Sequence, residues 1–152
     1  MGHWPQEQIF LREGLMLILE ISPLYVGLFL IMMLWLSFRV IKLRRKLRIG
    51  LGTGGNDELL RAIRVHGNFT EQVPMTLIGL VLMEMQGMHF IILHILGIAL
   101  LIGRILHVKG ITASAGVSNG RFLGSFITFA VQIILAISFI LNFIHLVIKE
   151  SI

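Results

Sequence analysis

Apolar positions in this chain fall in long blocks, not in the alternation of a half-buried strand. From Leu15 to Phe38 there are 24 residues with one charge, Glu20, and one helix breaker, Pro23. About 20 apolar residues cross a hydrocarbon core, so this block predicts a transmembrane helix, bent near its outer end by Pro23. Arg39, Lys42, Arg44, Arg45, Lys46 and Arg48 close it. Gly50, Gly52, Gly54 and Gly55, with Thr53 and Asn56, predict a loop. The loop lacks the Lys-Ser/Thr ending of a phosphate-binding loop. Val73 to Met85 is apolar apart from Thr76 and Glu84, and is too short to span. Asp57 and Glu58 favour a helix start, and a helix from Asp57 to Gln86 is long enough; Gly87 ends it. The third block runs from His89 to Val108, and its Gly97 and Gly103 allow close helix approach in lipid. A polar linker, Lys109 to Asn119, precedes the last block, Phe122 to Ile148. The pattern predicts an all-α fold: one domain, 1–152, forming an integral membrane four-helix bundle. Its helices cover roughly 14–46, 57–86, 89–108 and 120–148, so the chain is expected to cross the bilayer about four times.

Composition strengthens this reading. Hydrophobic residues make up 56% of the chain and charged residues 14%. A soluble domain has about 45–50% and about 25%. The net charge of +5 is localised, with five of the 13 Lys and Arg between Lys42 and Arg48. Beside an apolar span, such a run reads as a cytoplasmic flank facing anionic lipid, and no nucleic-acid-binding motif accompanies it. The Lys and Arg bias predicts both termini outside and both basic linkers in the cytoplasm. Glu7, Glu13 and the length of the first block argue for a retained span, not a cleaved signal peptide. The absence of cysteine excludes disulfides, thiolate catalysis by the protein and Cys-ligated metal. No internal repeat supports an inverted-repeat transporter. His89 and His94 are five apart, and no histidine pair has helical ligand spacing, so no metal site is expected. Glu20, Glu84, Asn142 and His145 read as bundle or interfacial groups.

Arg61, Arg64, Asn68 and Glu71 break the apolar pattern. At 100° per residue they fall within about 80° on a helix, giving the second helix a polar face about three turns long. Charges at such depth turn inward, pair, or line a wet cavity. The third helix answers with Arg104 and His107, and Arg121 opens the fourth. Glu71 could neutralise Arg104 or Arg64 in a structural network. The arginines, with Arg44 and Arg45, nevertheless far outnumber the one nearby carboxylate. An excess of guanidinium groups suits a small polyanion, which arginine binds bidentately.

The run from Arg61 to Pro74 resembles the signature of the MAPEG family, the membrane-associated proteins of eicosanoid and glutathione metabolism. Its Arg-x-x-x-Asn-x-x-Glu-x-x-Pro core is met by Arg64, Asn68, Glu71 and Pro74. Gly103-Arg104-Ile105-Leu106-His107-Val108-Lys109-Gly110 is similar to the Gly-Arg-x-x-(Tyr/His)-x-x-Gly of the family's third helix. The arginine-rich end of the first helix, with Arg44, Arg45 and Arg48, also fits. The resemblance covers nearly the whole chain and implies a homotrimer that binds glutathione between subunits near the cytoplasmic surface. It implies that Arg64, Asn68, Glu71, Gln72, Arg104 and His107 hold glutathione, with Glu71 at its α-amino group and arginines at its carboxylates. Arg121 resembles the arginine that stabilises the glutathione thiolate, and Arg44 or Arg45 would reach in from a neighbouring subunit, Arg45 in a catalytic role. His66, about 160° round the helix from Asn68, would serve a neighbour's site. Two family tyrosine positions are Ile111 and Gln72 here.

The function implied is a membrane-bound glutathione transferase or glutathione-dependent peroxidase acting on lipophilic electrophiles or hydroperoxides. The alternatives are a non-catalytic lipid- and glutathione-binding protein similar to lipoxygenase-activating protein, and a small structural or transport subunit. The expected partners are glutathione, a lipophilic small molecule, membrane lipid and two further copies of the chain, with no nucleic acid.

Overall fold

The computed structural model describes residues 19–150 apart from 115 and 117, and the backbone alone at 150. Four helices follow in order: α1 (Ser22–Leu47), α2 (Asp57–Met85), α3 (Phe90–Ala113) and α4 (Asn119–Glu150). Their short connections set consecutive helices antiparallel. α1 packs on α2 and α3 on α4, and α2 joins the two pairs by touching both α3 and α4.

α1 opens at Ser22, with Pro23 in its first turn. Residues 19–21 are not helical. The predicted stretch 14–18 lies outside the described residues. Pro23 therefore begins the helix and does not bend it: first-turn N–H groups have no intrahelical partner, so a missing one does no harm. The free N–H groups at this end bind a carboxylate from another helix. Glu84, near the end of α2, accepts from the backbone N–H of Glu20, Ile21 and Ser22 at 2.8, 2.7 and 2.7 Å.

At its other end α1 stops at Arg48, whose φ of 57° is left-handed. The Ile49 N–H bonds back to the Arg44 carbonyl at 3.1 Å. The Arg44 guanidinium donates to the carbonyls of Ile49, Gly50 and Gly52 at 3.4, 3.3 and 3.0 Å. This staple folds the glycine-rich loop towards α2. Asn56 then caps α2 by accepting from the Leu59 N–H at 2.9 Å, with Asp57 and Glu58 in the first turn. Gly87, at φ 81°, turns the chain into α3.

α3 runs through Gly110 to Ala113, five residues past its predicted end. A helical glycine costs about 1 kcal/mol against alanine, but here it admits α4. A Cβ on Gly110 would collide with the backbone of Gly120 and Arg121. One on Gly124 would lie 2.5 Å from both the Gly103 carbonyl oxygen and the His107 backbone nitrogen. α3 and α4 thus meet backbone to backbone.

The main core joins Tyr25, Phe29 and Leu36 of α1, Phe69, Val73 and Leu80 of α2, Leu93 and Leu100 of α3, and Val131 and Leu135 of α4. A smaller cluster, Leu43, Leu59 and Ala62, closes the basic end between α1 and α2. Outside lie bare apolar side chains such as Ile31, Trp35, Phe38, Phe126, Ile133 and Phe143, as lipid contact requires. Among the described residues three helices are long and apolar enough to cross a membrane: α1, α3 and residues 119–149 of α4. α2 has the length, at 29 residues, but its first half is too polar to count as a span by composition. The structure is an all-α membrane bundle.

Candidate functional site

The polar stripe of α2 faces the end of α3 and the start of α4 across a cavity of ≈ 160 Å³. Its lining is Leu60, Arg61, Arg64 and Asn68 of α2, His107 and Ile111 of α3, and Arg121 of α4. Each wall follows from helix periodicity. Leu60, Arg64 and Asn68 are successive steps of four, and so are His107 and Ile111, which places them in rows along the helices. Arg121 arrives by the Gly110 contact, with Ser118 accepting from its backbone N–H at 3.3 Å as a helix cap. Among the described residues no carboxylate lines the cavity. The guanidinium groups of Arg61, Arg64 and Arg121 have no partner among the described residues.

Behind this wall sits Arg104, 1% exposed. Its Nη2 donates to Asn68 Oδ1 at 2.7 Å and lies 3.3 Å from His107 Nδ1. The guanidinium carbon is 5.9 Å from the centroid of the Phe69 ring. Arg104 Nε is buried without a hydrogen-bond partner. Among the described residues no carboxylate pairs with Arg104, so the ion-pair network considered for Glu71 does not form.

The remaining predicted site residues lie elsewhere. Glu71 and Gln72 line a separate groove between α2 and α4, of ≈ 450 Å³, with Met75, Leu82, Leu135 and Phe139. There Gln132 Nε2 donates to Gln72 Oε1 at 3.2 Å and to Thr76 Oγ1 at 2.9 Å. His66 Nε2 is 2.9 Å from Ser37 Oγ on α1, on the side away from the cavity. Arg44 is engaged in the loop staple, and Arg45 is exposed on α1. Within one chain, therefore, the structure brings together Arg64, Asn68, His107 and Arg121, backs them with Arg104, and leaves out Arg44, Arg45, His66, Glu71 and Gln72. Among the described residues no group of His, Asp and Glu could hold a metal ion.

Sequence reasoning omitted Leu60 and Gln132 and left Arg61 and Ile111 outside the site. Arg61 and Leu60 were readable as the positions three and four before Arg64. Ile111 was readable as one turn beyond His107. Gln132 gave a weaker signal, an amide inside an apolar block.

A model of the MAPEG family matches residues 22–141, which include every helix wall of the cavity. The chain belongs to the MAPEG family. It is also similar to the inner membrane protein YecN of Escherichia coli strain K12, at 41% identity over 90 residues, 59% of this chain and 69% of YecN. The same figures hold for YecN of Escherichia coli O6:H1. With the apolar helices, these likenesses make this MAPEG protein an integral membrane protein. Family membership gives it a glutathione-related function in general terms.

Proposed function

We propose that this MAPEG protein binds glutathione at the arginine-lined cavity and activates its thiol for attack on a lipophilic electrophile or hydroperoxide. The observation that carries the reading is the cavity's charge. Three guanidinium groups, an amide and an imidazole surround it, and among the described residues no carboxylate lines it. Such a wall attracts the carboxylates of a peptide-like anion. A guanidinium beside the glutathione sulfur favours its thiolate, as it does for a protein cysteine. Arg121, exposed and without a side-chain partner among the described residues, is the residue to which that role falls. The thiol proton goes to water. The thiolate then forms a sulfur–carbon bond with the electrophile and expels its leaving group, or forms a sulfur–oxygen bond with a peroxide oxygen as the O–O bond breaks. In the peroxide case the alkoxide takes a proton from water and leaves as an alcohol, and a second glutathione reduces the sulfenic acid to the disulfide with release of water.

A pocket for a small ligand usually measures about 300–1,000 Å³. At ≈ 160 Å³, the cavity suits one end of glutathione and calls for a second surface. A neighbouring copy would supply it, consistent with a homotrimer in which Arg44, Arg45, His66, Glu71 and Gln72 serve a site between chains. The apolar α2–α4 groove is a place for the lipophilic partner. The basic loop after α1, with Lys109 and Arg121, supports a cytoplasmic site and termini outside.

The test is a glutathione titration of the detergent-solubilised protein, read by ultraviolet thiolate absorbance and by binding heat. Saturable binding with a thiolate signal, lost in Arg121→Ala, is expected. Binding without thiolate in the wild type would favour a ligand-presenting protein without chemistry. Ile111 favours that second reading, because it lines the cavity where the family has a tyrosine hydroxyl. No binding by a folded trimer would remove glutathione altogether.

A further inference from the structure

Arg104 is the least expected side chain in the molecule. It is a cation at 1% exposure with no carboxylate partner among the described residues and an unpaired Nε. A buried guanidinium without a counter-ion is costly, and the cavity does not reach it. Its two polar neighbours, Asn68 and His107, do line the cavity. Arginine has donors and no acceptor. Whatever faces its Nη2 must therefore accept.

Two orientations follow. The atom of Asn68 at 2.7 Å from Arg104 is the carbonyl oxygen, which leaves the Asn68 amide NH₂ on the other side. The His107 atom at 3.3 Å is Nδ1. Facing a donor, Nδ1 is the acceptor, so the ring proton resides on Nε2. Neither Asn68 Nδ2 nor His107 Nε2 has a partner among the described residues, and neither is among the buried unpartnered atoms. Both open to the cavity. Together with Arg61, Arg64 and Arg121, the polar lining then consists entirely of hydrogen-bond donors.

We propose that Arg104 is a positioning residue that sets the polarity of this cavity, turning Asn68 and His107 into donors so that the cavity takes a carboxylate or similar acceptor-only anion and rejects an ammonium group. The inference rests on the cavity being a ligand site, and it deepens the glutathione reading. The end of glutathione that enters is the glycine carboxylate. The γ-glutamyl end, with its ammonium group, stays outside, where the only carboxylate on the α2 stripe is Glu71.

The experiment uses the intact protein in detergent, ¹⁵N-labelled at histidine, with the His107 signals identified by their loss in His107→Gln. In the wild type His107 is expected as the Nε2–H tautomer, with Nδ1 unprotonated. In Arg104→Met, which keeps much of the side-chain volume without a donor, the ring is expected to lose that preference. A wild-type ring protonated at Nδ1, or a tautomer unchanged in Arg104→Met, overturns the proposal. Sulfate is then added as an acceptor-only probe. A saturable shift at His107 Nε2 is expected in the wild type and at least about tenfold weaker affinity in Arg104→Met, a factor worth 1.4 kcal/mol. No shift in the wild type overturns the proposal. Glutathione is compared with the ester of its glycine carboxyl. A preference of about tenfold for the free acid supports the assignment, and equal affinities overturn it. If sulfate binds and glutathione does not, the donor wall stands and the glutathione reading falls. Asn68→Asp guards against misfolding as the explanation. Its carboxylate pairs with Arg104, so thermal stability is expected to rise while sulfate affinity falls; a gain in sulfate affinity would overturn the proposal.

Discussion

The two ends of the bundle each bury a charged side chain, and they treat it in opposite ways. At one end Glu84 reaches from α2 to α1 and accepts three backbone N–H bonds. Its charge is used within the chain, and the helix start it covers is satisfied in turn. At the other end Arg104 meets an amide, an imidazole and an aromatic ring, both hydrogen bonds fall on its Nη2, and its buried Nε has no partner among the described residues. The difference teaches how to tell a structural charge from a functional one. Burial is common to both. What separates them is whether the neighbouring polar groups are all consumed or are left oriented towards a space.

Glu84→Ala tests the structural side of that contrast and has the largest expected effect. Three charge-assisted bonds disappear and the start of α1 loses its cap. At about 1 kcal/mol each the loss is about 3 kcal/mol, read as a lower thermal midpoint in detergent, with anion binding at the basic end unchanged. A fall in binding equal to the fall in stability would break the contrast. Gly110→Ala comes next. The added methyl meets the backbone of Gly120 and Arg121, and overpacking of this kind costs about 2 kcal/mol. It also moves Arg121, so here stability and binding are expected to fall together. Arg104→Met sharpens the comparison further. Removing an unpaired buried cation is expected to change stability by less than about 1 kcal/mol, while sulfate binding weakens. Two buried charges would then answer truncation with opposite phenotypes. Arg44→Ala is the smallest. It frees three partly exposed carbonyls and is expected to cost about 1 kcal/mol, seen as faster amide exchange confined to residues 49–56.

Much of this was legible in the chain. The apolar blocks announced the helices, and their boundaries were readable wherever acids, glycines or basic runs marked them, as at Asp57 and Gly87. The period of α2 put Arg64 and Asn68 on one face, and the same period put Arg104 and His107 on one face of α3. What was not legible depends on contacts between helices. The start of α1 was misplaced because its cap, Glu84, comes from more than sixty residues away. The end of α3 was set too early because Gly110 reads locally as a stop and acts as a contact surface. Glu71 shares the stripe of Arg64, yet it lies one turn beyond Asn68, where the facing wall is α4 and the groove is a different one. Arg44 looked free because the left-handed turn at Arg48, which brings the loop carbonyls within its reach, has no glycine to announce it.

The glycine contacts between α3 and α4 have a mechanical consequence. Gly103, Gly110, Gly120 and Gly124 bring the two backbones into direct contact, with little side-chain bulk between them to accommodate sliding. The two helices therefore move as one rod carrying Arg104, His107 and Arg121. α2 carries the other half of the cavity and is tied to that rod by Asn68 to Arg104 beside the cavity and, further along, by Gln132 to Gln72 and Thr76 and by Asn142 to Gln86. Widening of the cavity then means breaking the Asn68–Arg104 bond while the bonds further along α2 hold, and a ligand that draws on Asn68 competes for that bond.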